Sequence, residues 1–436
     1  MFSMSQNKDF QLNDPRIING WAFFDWANSA FALVITAAIF PGYFVAVTDD
    51  IVNVFGIEMS NSSLYAYAIS ASYFLIAMCS PVLSGIADYG GRRKFFLKFF
   101  TIIGSTACLS LYFFKGMDQL AVGAIGFMIA MIGFAGGLVF YNSFLPVIVT
   151  EDQYDRVSAR GFSFGYIGSV ILLVGNLAMI IFYDRLGFSD QGAATRFAFV
   201  TVGLWWIGFA LIPFKRLPSD ERKKDTPDLL KRGVQELRKV WQAVKHQKDT
   251  KHFLFSFFCY SAGVQTVLFL AATFAEKELK FGTSELIGVV LILQIVAILG
   301  AVSFARLSEW KGNKAALITL LLIWVAICLL GYLVQAKWQF YGIAASVGLV
   351  MGGIQSLSRS TYSKLIPKET KDPTSYFSFY DVLEKTAIII GTFSFGFVEY
   401  LTGSMRVSLL VLASFFIVGL LILLTVEIKR TEVEGG

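Results

Sequence analysis

Charge is what this 436-residue chain has least of: Asp, Glu, Lys and Arg make up 16% of it, against about 25% in ordinary soluble domains. Histidine is nearly missing. The two that exist, His246 and His252, fall in one polar stretch, so a histidine-based nucleophile or metal cluster has no partners elsewhere. Four cysteines, Cys79, Cys108, Cys259 and Cys328, sit singly in apolar runs without ligand spacing and read as buried free thiols rather than a disulfide framework. No G-x-x-x-x-G-K-[ST] loop occurs, which argues against ATP-driven work. GFSFG, Gly161 to Gly165, has the spacing of a nucleophile elbow but neither the strand-turn-helix setting nor a histidine base. It is read instead as a small-residue helix contact, as are Gly133 with Gly137 and Gly348 with Gly352. The opening MFSMSQNKDFQLNDPRIING lacks an apolar h-region and does not read as a signal peptide. An enzyme is not expected, and no cofactor or metal.

What is abundant is apolar surface: 56% of residues are hydrophobic, 43 of them Phe, with mean hydropathy +0.63. That exceeds what a water-soluble core encloses. Twelve apolar segments are found near 17–47, 64–87, 95–114, 119–148, 157–183, 197–214, 253–275, 285–307, 315–335, 338–366, 377–401 and 406–428. Each is long enough for a spanning helix of about 20 residues. The pattern predicts an all-α membrane protein: a tail over 1–16, a six-helix bundle over 17–214, a linker over 215–252, a second bundle over 253–428 and a tail over 429–436. The linker carries 12 Lys/Arg and 6 Asp/Glu and contains one amphipathic helical stretch. With the N-terminus cytoplasmic, 30 of the 37 Lys/Arg lie on or near the cytoplasmic side, so both termini are expected there. The net charge of +6 is then topological, and nucleic acid is not expected as a partner.

The halves repeat. GIADYGGRRK after the second segment and RLSEWKGNK after the eighth align Asp88 with Glu309 and Gly91 with Gly312, both 221 positions apart, as are Pro146 and Pro367. Parallel six-helix repeats are a transporter architecture, with the substrate path between halves and alternating access by rocking. In each loop a carboxylate, a turn glycine and basic residues meet at a helix end, so Asp88, Arg92, Arg93, Glu309 and Lys314 are candidate gating residues.

GIADYGGRRK resembles the loop signature of the major facilitator superfamily. WAFFDWANSAFALVITAAIFPGYF, RVSARGFSFGYIGS, GGIQSLSRSTYSKLIP and FSFYDVLEK resemble its vacuole-effluxer branch, related to autophagy-linked amino-acid exporters of fungal vacuoles. The resemblance implies the major facilitator fold, twelve transmembrane helices as two pseudo-symmetric halves, and solute export or uptake.

Charges inside a span cost about 2.5–3.5 kcal/mol on insertion scales, so each needs a partner or a wet cavity. Six stand out: Asp25, Arg160, Arg359, Asp381, Glu384 and Lys385. Asp25 and Asn28 share a polar or small face of the first helix, and Gln355 and Arg359 one face of the tenth. Asp381 and Lys385, four apart, are expected to pair, with Tyr380 placed to donate to Glu384. Arg156 and Arg160, four apart at the start of the fifth helix, read either as snorkelling to the headgroups or as partners of these acids, the second favoured for Arg160. Thr36, Tyr141, Asn142, Tyr260, Gln265 and Gln294 are candidates for the midplane lining, Asn142 foremost. The candidate substrate or ion pathway is therefore Asp25, Asn28, Asn142, Arg160, Gln355, Arg359, Asp381 and Glu384. The reading is a secondary transporter of a small polar solute, amino acids among the candidates, with a proton or sodium ion as co-transported partner and the chain a monomer. The setting expected is a prokaryotic cytoplasmic membrane. The alternative is a lipid or lipid-linked glycan flippase, which an apolar groove between the fifth and eighth helices, open to the bilayer, would favour.

Overall fold

A computed structural model describes residues 11–54, 56–219, 228–368, 370 and 373–428. The expected tail 429–436 and residues 1–10 of the N-terminal tail lie outside them. Twelve long helices coincide with the twelve apolar segments. In the first half these are α1 (Pro15–Val47), α2 (Asn61–Gly90), α3 (Arg93–Ser110), α4 (Leu120–Asn142), α5 (Tyr154–Ile181) and α6 (Gln191–Arg216). The connector α7 (Leu229–His246) follows. The second half has α8 (Lys248–Leu279), α9 (Thr283–Lys311), α10 (Asn313–Leu333), α11 (Lys337–Leu365), α12 (Pro373–Thr402) and α13 (Met405–Leu424).

Local chemistry explains the helix ends. Asp14 accepts the Arg16 N–H at 2.7 Å ahead of Pro15, so α1 starts on a side-chain cap and a pre-set φ. Between Phe31 and Ile39 α1 widens into a π-helical stretch, a form associated with functional sites, before Phe40–Val47 resumes. A two-stranded hairpin, β1 (Ile51–Val54) with β2 (Ile57–Ser60), leads into α2. Gly91 and Gly312 end α2 and α9 at φ 60° and 88°, a region that favours glycine, so the repeated glycine is the turn itself.

Each half has its own apolar core. One includes Trp21, Phe24, Phe31, Phe40, Phe127 and Trp206, with Phe40 and Phe127 stacked at 4.7 Å; the other includes Tyr260, Trp324, Tyr362 and Phe416. Among the described residues, ten spans are long and apolar enough to cross a membrane, and α8, bent by 49°, makes eleven. The remaining long helix, α12, has 30 residues and carries Asp381, Glu384 and Lys385 along its length. Across the halves, α5 packs on α9 and α11, and α2 packs on α12. The connector α7 lies on α2, where Gly233 meets Gly85, and its Trp241 ring packs, tilted, 5.4 Å from Phe379 of α12.

Close approach within the second half depends on glycine. A methyl on Gly352 would meet the Ala297 carbonyl and lie 2.9 Å from the Ala301 nitrogen of α9. Gly352→Ala is therefore expected to cost about 1–3 kcal/mol by overpacking and to lower the melting temperature of the detergent-solubilised protein. Gly342→Ala on the same helix, where nothing lies within 4 Å, should leave it unchanged or slightly higher.

Candidate functional site

Arg359 of α11 sits where three helices of the other half converge. It is 2% exposed, so every donor must be answered by protein. Its Nε donates to Ser158 Oγ at 2.9 Å and its Nη2 to the Ser158 carbonyl at 2.8 Å. Nη1 donates to Asp25 Oδ2 at 3.3 Å and to Asn142 Oδ1 at 3.2 Å. The flat cation is also held among aromatic rings, 4.2 Å from the centre of Phe162, 4.7 Å from Trp21 and 5.4 Å from Tyr141. Tyr141 in turn donates to Asp25 Oδ2 at 2.7 Å, and the Trp21 indole to the Tyr141 carbonyl at 3.0 Å.

Gly161 makes room for this pair. A methyl there would stand 2.7 Å from Asp25 Oδ2 and 2.9 Å from Arg359 Nη2, while one on Gly165 would stand 2.6 Å from Ser29 Oγ. The small residues of GFSFG thus bring α5 onto α1 and, through Gly161, against Asp25 and Arg359.

A second ionic cluster lies on α12. Lys385 Nζ contacts Asp381 Oδ1 at 2.6 Å and Glu384 Oε2 at 3.2 Å, and Gln265 of α8 donates to Glu384 Oε1 at 3.2 Å. Tyr380, expected to serve Glu384, is instead stacked 3.9 Å from Phe257 and 5.3 Å from Tyr362, an aromatic packing position. Arg160 also departs from expectation. It is exposed, with its guanidinium 5.7 Å over Phe164, and is not joined to Asp25, Asp381 or Glu384.

At the end of the bundle that bears the connector, polar contacts cross between halves in layers. Arg156 meets Glu309 at 3.2 Å and Lys368 meets Glu151 at 2.7 Å on the outside. Beneath them Asp155 accepts from Lys364 at 2.8 Å, Asn313 at 2.7 Å and Ser308 at 2.9 Å. Asp88, its side chain buried, accepts the backbone N–H groups of Thr374 at 3.3 Å and Ser375 at 2.6 Å, with Arg93 at 3.7 Å. A carboxylate from one half thereby caps the N-terminus of α12 in the other. The other loop residues differ: Lys314 donates to the Leu424 carbonyl at 2.8 Å within its own half, and the buried Arg92 Nε has no partner. Deeper still, Ser158 Oγ donates to the Ser356 carbonyl at 2.7 Å and Tyr166 to Gln355 Oε1 at 2.8 Å.

Asn28 differs from all of these. Fully buried on α1 less than one turn from Asp25, it engages neither its amide nitrogen nor its oxygen. Gln294 Oε1 is likewise buried and unanswered. Thr36 reaches Met131 Sδ at 3.5 Å, and Tyr260 meets Ser358 Oγ at 2.7 Å inside the second half.

Residues 13–436 match the family described as Vacuole effluxer Atg22 like. The chain belongs to the vacuole effluxer Atg22-like family. An MFS-type transporter of Bacillus subtilis, YxiO, is 30% identical over 95% of this chain and 96% of its own length. Autophagy-related protein 22 of Kluyveromyces lactis is 25% identical over 87% and 82%. Among solved structures, the MFS transporter FucP in its outward conformation superposes with TM-score 0.72 at 15% identity, covering 97% of this chain and 99% of FucP. The human organic anion transporter MFSD10 gives 0.69 at 13%, covering 95% and 100%. This Atg22-like chain is an integral membrane protein with the major facilitator fold, a secondary transporter and not an enzyme.

Four contact residues of the Atg22-like protein escaped sequence reasoning: Asp155, Ser158, Asn313 and Lys364.

Removing one member of a buried ion pair strands the other, at about 3–5 kcal/mol. Arg359→Gln and Asp25→Asn should each lower the melting temperature of the purified protein. The double variant should lose less than the sum, because neither leaves a charge behind. Simple additivity in a double-mutant cycle would refute the coupling.

Proposed function

We propose that this transporter moves small zwitterionic solutes, amino acids in the first place, by alternating access between its two halves. The observation that carries the reading is the joint at Arg359: one guanidinium of the second half is shared by Asp25, Asn142 and Ser158 of the first. Such a joint cannot survive rocking of the halves. It has to be exchanged for other partners, and a solute with a carboxylate offers Arg359 a planar, bidentate replacement. The idle carboxamide of Asn28, less than one turn along α1, supplies a donor and an acceptor for the same solute. Fungal relatives carry the name autophagy-related protein 22, and the family name is vacuole effluxer, which supports a solute leaving a compartment.

The layered contacts at the connector end act as the gate. With positive residues concentrated on that side, the connector and both termini face the cytoplasm. Gradient energy enters as a co-transported proton or sodium ion, and the setting proposed is a prokaryotic cytoplasmic membrane. The flippase alternative gains no support at the seam it needs, because Ala159 of α5 packs against Ala301 and Ala305 of α9, all three buried.

Reconstituted in liposomes preloaded with a mixture of unlabelled amino acids, the protein should drive counterflow of a labelled member, and Arg359→Gln should reduce the rate at least tenfold. Absence of counterflow across the whole set of proteinogenic amino acids would remove the substrate assignment.

The gate has a separate check. In a Ser143→Cys background, Asp88→Ala removes the cap on α12 and should speed labelling of the introduced thiol by a maleimide several-fold. An unchanged rate would mean that the cap does not hold the end closed.

A further inference from the structure

The charges within the spans do not cancel. Arg160 is exposed; among the other five, Asp25 is paired with Arg359 while Asp381 and Glu384 share Lys385, so the group carries one carboxylate in surplus. Glu384 lies eleven residues into α12, about 16 Å from the helix start at 1.5 Å per residue, within the apolar segment 377–401. An incompletely neutralised charge within a span is costly and marks a functional position. Glu384 also differs from its neighbours in access: its side chain is 24% exposed, against 4% and 5% for Lys385 and Asp381.

A second, independent observation points to a ligand. Asp381 Oδ2 is buried and has no hydrogen-bond partner, although Asp381 Oδ1 receives Lys385. A buried anionic oxygen left idle is among the least favourable groups a protein can carry. The Lys385 ammonium shows what this environment accepts: a primary ammonium bridging the two carboxylates, 5.8 Å from the centre of the Tyr73 ring on α2 of the other half. Gln265 of α8 donates to Glu384, Tyr260 of α8 and Tyr380 of α12 are also near it, and Arg359 is committed to Asp25. Helix α4 brings no Asp, Glu, Lys or Arg, and the only charge on α13, Arg406, is held by Glu278.

We propose that Glu384 and the free oxygen of Asp381 form a subsite for one additional monovalent positive charge beside Lys385. Its occupant is a coupling proton or the ammonium group of the transported solute. Occupation neutralises the surplus charge, and because Tyr73 belongs to the opposite half, the subsite closes only when α2 and α12 are together. The inference rests on the transport reading above and adds to it the place where positive charge enters. That place is distinct from Asp25, whose Oδ2 is taken by Tyr141 and Arg359.

The test uses full-length protein in liposomes adsorbed on a solid-supported membrane, with transient currents recorded after two jumps. One is from pH 7.5 to 6.5 without solute; the other is addition of methylammonium chloride at constant pH. Wild type should give a current in at least one jump, the first identifying a proton and the second an ammonium. Glu384→Gln should reduce that current at least fivefold, while Glu276→Gln should leave it intact. Wild type silent in both jumps, or Glu384→Gln matching wild type, overturns the subsite. Should Glu384→Gln not be recovered folded, Gln265→Leu keeps both carboxylates and removes one hydrogen bond from Glu384. It should shift the midpoint of the current, in pH or in methylammonium concentration, at least threefold, and an unshifted midpoint overturns the subsite. Amino-acid counterflow in the same vesicles keeps the two claims apart: its absence in wild type counts against the substrate reading alone, and its presence with unaltered currents in Glu384→Gln counts against the subsite alone.

Discussion

A guanidinium kept dry inside a helical bundle dictates much of this molecule. Arg359 has five N–H groups and no access to water, so the chain surrounds it with oxygen acceptors from α1, α4 and α5 and with three aromatic rings. Those demands propagate. Tyr141 must present its hydroxyl to Asp25 and its ring to Trp21, and Gly161 must lack a side chain so that α5 can come close. All the acceptors belong to one half and the donor to the other, so the energy of the pair is available only when the halves are closed at this level.

The two halves have used their repeat differently. The loop glycines, Gly91 and Gly312, kept the same backbone role. Their carboxylates did not: Asp88 caps a helix through backbone N–H groups, whereas Glu309 forms a partly exposed pair with Arg156. A buried carboxylate on backbone donors resists solvent competition, while an exposed pair contributes about 0–1 kcal/mol. The contact between the halves is therefore better shielded on the α2–α12 side, and on the α5–α9 side it relies on the buried Asp155 cluster beneath the surface pair.

The helices were legible because lipid imposes continuous apolar runs, and the repeat because Asp88, Gly91 and Pro146 recur at one spacing. The meeting of Asp25 with Arg359, 334 positions apart, was legible only as two charges each needing a partner. What periodicity could not supply was which charges are solvated. Arg160 looks as deep as Arg359 along its helix, yet one lies on the exposed face over Phe164 and the other turns into the bundle, a difference of helix rotation set by tertiary packing. Tyr380 was misassigned for a related reason: its ring has more to gain from Phe257 and Tyr362 than its hydroxyl has from Glu384. Asp155 and Lys364 sit at helix ends, where charge is ordinary, so nothing in the sequence marked them as buried.

The claim at the centre of this account is that the Arg359–Asp25 joint holds the connector end shut. Spin labels on Asp152 and Lys311, exposed positions on opposite halves at that end, report it directly by pulsed electron resonance distance measurement. Otherwise unaltered protein should give one short distance, and Arg359→Gln should add a longer population as the end opens. An identical distance distribution in the two proteins would contradict the account.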